Sequence, residues 1–142
     1  MAADRTDLSN KDFSMQDLSF TTLAGALLVN TSFQQANLYE ANFSKTDLTG
    51  SNFVNANLFG CKLIQAIMKD AKMKGVNLVG ANLSSANLTG ADLSDADLRR
   101  ANLFRANLTG ADLTGAQLDQ ADLSECNLTD TKLPHGFKIK TF

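Results

Sequence analysis

Between residues 8 and 133 a large apolar side chain returns at every fifth position, from Leu8, Phe13 and Leu18 to Leu133, without insertion or deletion. The register has 26 members, and all are Leu, Phe or Met: twenty Leu, four Phe, Met68 and Met73. A period of five fits neither an amphipathic helix nor a strand. Two residues before each large side chain lies a column of small ones. Fifteen of its 26 members are Ala, from Ala26 to Ala121, and most others are Thr, Ser, Cys or Val. Lys11 and Gln16 break this column near the amino terminus. The position between the columns is Asp or Asn in 18 repeats. Small, polar, large apolar is a three-residue piece of strand alternation, with both flanking side chains directed to one side.

The remaining two positions of each repeat must turn the chain. Eight of the nine glycines, among them Gly50, Gly90 and Gly115, occupy the last of the five places, which three Asn and three Asp also share. A type II turn starting at the apolar residue needs positive φ there, which suits Gly and then Asn. Gln35, Lys45 and Arg100 fit that requirement poorly, so the pattern predicts a second turn type alternating with the first. A chain that bends every five residues with its apolar groups inward winds into a solenoid.

The run A-[DN]-L-x-x, seen in Ala86-Asn87-Leu88 and Ala91-Asp92-Leu93, resembles the pentapeptide-repeat family over roughly residues 6 to 133. The resemblance implies an all-β fold, a right-handed quadrilateral β-helix with four repeats per coil and about six and a half coils. A spacing of ~4.8 Å between coils then gives a rod of roughly 30 Å. Residues 20 apart stack in such a rod, so Phe13, Phe33 and Phe53 share one interior column, continued by Met73, Leu93 and Leu113. The expected organisation is a single domain over residues 1–142, with repeats at about 6–133 and a carboxy-terminal cap at 134–142. Pro134 and Gly136 redirect the chain there, and Phe137, Ile139 and Phe142 are apolar enough to cover the last coil. Too few residues precede Leu8 to cover the first one. Either a homodimer through that solenoid end or a frayed first coil is therefore expected.

Composition narrows the chemistry. The net charge of −2 provides no field for nucleic acid, so direct nucleic-acid binding is not expected. No apolar run reaches the length of a membrane span, and "MAADRTDLSN" lacks a signal-peptide core, which makes a cytoplasmic protein the expectation. No catalytic, cofactor-binding or metal-binding set emerges. His135 is the one histidine, beyond the last repeat, without Cys, His or carboxylate partners at ligand spacing. Cys61 and Cys126 both fall in the small inward column, 65 residues or just over three coils apart, too far for a disulfide within one molecule. Sequons such as Asn82-Leu83-Ser84 and Asn107-Leu108-Thr109 arise from the repeat itself.

Departures from the repeat mark candidate surfaces. Tyr39, Phe59 and Val79 stack three apolar side chains on one outer column, the best candidate for a protein contact. Lys62, Lys69, Lys72 and Lys74 form a candidate basic patch against a lone Asp70, and Arg99, Arg100 and Arg105 interrupt an acidic carboxy-terminal half. The leading functional reading is a non-enzymatic structural or interaction solenoid with an unidentified protein partner. The resemblance also implies an alternative: some family members mimic duplex DNA and bind DNA gyrase or related topoisomerases, protecting them from quinolones or inhibiting them. Those members are markedly acidic, whereas this chain is nearly neutral and carries a lysine band.

Overall fold

A computed structural model describes residues 5–139, with Phe142 of the expected cap outside that range. The chain climbs as a four-sided parallel β-helix. Each side is three residues long, and its central residue bridges the equivalent residue 20 positions later, as in Asn37↔Asn57 and Asn57↔Asn77. Four repeats therefore close each coil. The four faces begin at Thr6, Lys11, Gln16 and Thr21, and are called faces one to four below.

The hydrogen bonding explains the five-residue sequence almost position by position. The large apolar residue donates its amide down the rod (Leu28 to Asp47 O, 2.7 Å), and the central residue donates up it (Asp47 to Ala26 O, 3.1 Å). The last turn residue also donates downward (Asn30 to Thr49 O, 2.9 Å), while the small residue closes the turn (Ala36 to Phe33 O, 3.0 Å). One amide per repeat is left, on the first turn residue. The central Asp or Asn takes it: Asp47 Oδ1 accepts the Thr49 amide at 3.1 Å, and Asn52 Oδ1 accepts that of Val54 at 3.0 Å. The Asp/Asn column thus closes the backbone inventory instead of merely facing water.

The expected alternation of turn types is not found. Every repeat from Asn10 to Asp130 has positive φ at its last residue, including Gln35 (57°), Lys45 (59°) and Arg100 (60°). Left-handed backbone costs a non-glycine residue roughly 1–2 kcal/mol. The same conformation aims the Gln35 amide at Val54 O, 3.0 Å away in the next coil, so each ladder bond offsets the local preference.

From Ala26 to Leu118 every member of both inward columns is buried. The interior column is stacked as expected: Phe13 on Phe33 (5.4 Å between ring centroids) and Phe33 on Phe53 (5.0 Å). Phe43 enters from the opposite wall, half a coil away, and meets Phe33 edge-on at 5.5 Å. Hydroxyls and thiols in the small column find backbone carbonyls, mostly 23 residues earlier (Ser51 Oγ to Leu28 O at 2.7 Å, Cys61 Sγ to Leu38 O at 2.9 Å) but three earlier for Thr46 Oγ1, which bonds Phe43 O at 2.6 Å. No buried side-chain polar atom among the described residues lacks a partner. The ends are looser. Leu8, Phe13, Leu18 and Leu23 are half-buried at the amino end. At the other, Phe137 packs against the core while Ile139 stays exposed.

Candidate functional site

The edge between faces three and four carries the largest departure from a polar surface. It consists of the turn pairs 19–20, 39–40, 59–60, 79–80, 99–100 and 119–120. Beside it, on face three, an amide ladder fixes the turns: Asn57 Nδ2 donates to Asn37 Oδ1 at 3.2 Å and Asn77 Nδ2 to Asn57 Oδ1 at 3.1 Å. The same two oxygens accept the amides of Tyr39 and Phe59 (3.2 Å each), and Asn77 Oδ1 accepts that of Val79 (3.0 Å). The three residues picked out in the sequence are thus held in line by one hydrogen-bonded row.

Tyr39 and Phe59 stack face to face, with centroids 5.4 Å apart and planes 7° apart. Phe20, which the sequence reading missed, extends the row by meeting Tyr39 edge-on at 5.5 Å. It occupies the last turn position, one column over, and is 68% exposed. An aromatic ring at a left-handed turn residue (φ 60°) was the signal available for it. Below Phe59, Gly60 and Gly80 leave the neighbouring column without side chains, and a Cβ added at Gly80 would meet nothing within 4 Å. Val79 then borders an open cavity of about 410 Å³ with Arg99, Arg100, Asp119 and Gln120.

Charge along this edge is unevenly compensated. Arg99 grips Asp97 with two bonds, Nε to Oδ1 at 2.8 Å and Nη2 to Oδ2 at 2.7 Å, which hold the Asp97 carboxyl below its ordinary range. Arg100 gives only its Nε, to neutral Gln120 Oε1 at 3.0 Å. Glu40 drapes its Cγ over Gly60 and forms no ion pair among the described residues, where only Arg99–Asp97 and Arg105–Glu125 do.

The four lysines of the candidate basic patch do not share a surface. Lys69, Lys72 and Lys74 lie on face two and its two edges, but Lys62 sits on face four, half a coil from Lys72 and so on the opposite side of the rod. Face two itself mixes the two signs, with Lys72 and Lys132 bridging either end of the Asp92–Asp112 pair. Both thiols are suppressed as nucleophiles: burial pushes Cys61 up to about 12 and Cys126 to about 11. His135 is exposed, and no cluster suited to a metal ion occurs among the described residues.

The family model for pentapeptide repeats matches the chain over residues 17–53, 51–90, 66–103 and 91–130, together most of its length. The chain belongs to the pentapeptide-repeat family. Its fold is accordingly the right-handed quadrilateral β-helix. Among solved structures, it is similar to the pentapeptide-repeat protein Rfr23 from the cyanobacterium Cyanothece 51142, with 28% identity and a TM-score of 0.63 over 90% of this chain and 88% of that one. It also resembles a pentapeptide-repeat protein of the Arabidopsis thaliana thylakoid lumen, at 31% identity, TM-score 0.49, over 74% and 70% of the two chains. QnrB1, a plasmid-mediated fluoroquinolone resistance protein, matches at 20% identity and TM-score 0.39 over 92% and 83%, a likeness of fold alone. No curated protein sequence matches significantly. Among the described residues, no helix is long and apolar enough to cross a membrane.

Proposed function

We propose that this pentapeptide-repeat protein is a non-enzymatic interaction scaffold that binds a protein partner along the edge between faces three and four. The observation that carries this reading is the row of Phe20, Tyr39, Phe59 and Val79, ring against ring from Phe20 to Phe59 and held in register by the asparagine ladder. A rigid aromatic row loses little conformational entropy on contact, which suits it to binding. Against catalysis stand two protonated thiols and an isolated histidine; two unpaired thiols also fit the reducing compartment that a cytoplasmic location would supply. The half-buried Leu8, Phe13 and Leu18 allow end-to-end pairing as a second contact. Mimicry of DNA has less support, because lysines break each run of carboxylates on face two.

The test is the triple substitution of Tyr39, Phe59 and Val79 by Ser. Thermal unfolding should remain cooperative, since these side chains lie outside the core, while partner capture and self-association are lost. Unchanged sedimentation together with unchanged captured partners would return the row to ordinary surface variation.

A further inference from the structure

The geometry points to a specific occupant for this edge: a second copy of the chain, lying antiparallel alongside the first. The inference rests on the edge being a contact surface and names its partner. Two rods facing each other across a two-fold axis perpendicular to their length bring like columns together with their order reversed. With the axis between the coils of Gly60 and Gly80, Phe59 of each chain meets Val79 of the other. Gly60 and Gly80 then face one another; Gly80 is open, while Glu40 covers Gly60 with its Cγ and must swing toward Arg100 of the other chain for the two backbones to approach. One coil outward, Tyr39 faces Arg99, whose guanidinium is already held by Asp97 and can lie over the ring. Beside it Glu40 faces Arg100.

That last pair decides the match. Neither Glu40 nor Arg100 has an ion-pair partner within the described chain. They lie three coils apart, roughly 14 Å, and flank the apolar centre symmetrically. The two-fold operation supplies each with its opposite twice over. The parallel arrangement, with its axis along the rods, would set Arg99 against Arg100 of the other copy and leave Glu40 against Tyr39. Like charges opposed in this way disfavour it. The edge is a single turn column wide, too narrow to reach the ~800 Å² per partner of stable complexes, so the dimer belongs to the weak, transient class.

Sedimentation over a concentration series up to ~1 mM tests the pairing with charge reversals. Glu40→Arg and Arg100→Glu change exposed turn residues to types that already adopt positive φ elsewhere in the rod, as Arg105 and Glu125 do, so each variant should fold. Wild type should dimerise reversibly. Either single reversal opposes like charges at both symmetric sites and should weaken association at least ~10-fold. The double variant should recover it, and so should a one-to-one mixture of the two single variants, as a heterodimer. A wild type that stays monomeric, or association insensitive to both reversals, overturns the proposal. So does failure of the double variant and of the mixture to recover, or loss of association only when Leu18 is changed to Lys at the rod end. None of those results touches the broader reading of the edge, which fails only if the triple Ser variant also keeps every captured partner.

Discussion

Gly110 and Gly115 have nearly the same backbone, φ 68° and 72°, but different neighbours. A Cβ at Gly110 meets nothing within 4 Å, whereas one at Gly115 would land on Asp95 Oδ1 from the coil before. The arrangement recurs where Asn30 overlies Gly50, Asn55 overlies Gly75 and Asp70 overlies Gly90. Ala at either glycine incurs the left-handed penalty of roughly 1–2 kcal/mol. Gly115→Ala must in addition displace the Asp95 carboxylate, so it should lower the melting temperature more than Gly110→Ala, and Asp95→Gly should erase the difference. Equal shifts for the two alanine variants would contradict the packing. The pairing of Asn or Asp with a glycine 20 positions on was legible in the sequence once four repeats per coil were assumed. That Lys45 or Gln35 could occupy the same backbone was not, because residue preference for positive φ is a local quantity and the compensating ladder bond lies in another coil.

The coil is the element at which the five-residue code becomes physical. Leu88 and Ala86 are buried because both flank one central residue of a strand, and this alternation could be read directly from the chain. The work of the central carboxylates could not, since it depends on which turn amide the ladder leaves free. Asp17 shows the consequence: it accepts the Ser19 hydroxyl at 2.7 Å and the Ser19 amide at 3.1 Å, which lower its carboxyl below the ordinary 3.8. Asp12, Asp112 and Asp122 are lowered in the same way by Ser14, Thr114 and Ser124, whose hydroxyls contribute most and whose amides add to it. A folded-state value below the unfolded one stabilises the fold fully above pH 3.8 and loses that contribution as pH falls through the lowered value. The melting temperature should therefore hold steady as pH is brought down toward 4 and fall only below it. A decline centred near neutral pH would show that groups other than these turn carboxylates govern acid stability.

At the scale of the whole molecule, position around the rod matters more than position along the sequence. Lys62 and Lys72 are close in the chain and on opposite sides of the solenoid, while Tyr39, Phe59 and Val79, 20 residues apart, touch a common line. A reading modulo 20 finds that line, but it leaves out Phe20, which belongs to the adjacent column and joins the row only through the direction of its ring. The charges at Glu40 and Arg100 likewise gain meaning only once Gly60 and Gly80, which add no side chains of their own, are seen between them on one continuous edge. On the proposed reading, this edge is where the rod meets its protein partners. A dilution series of amide NMR spectra tests it most directly, with the glycine amides of Gly60 and Gly80 as reporters at its centre. Concentration-dependent shifts confined to residues 39–40, 59–60, 79–80 and 99–100 are the predicted result. Shifts confined to the coil of Leu8 and Phe13, or spectra that do not change with concentration, would contradict it when the triple Ser variant also keeps every captured partner.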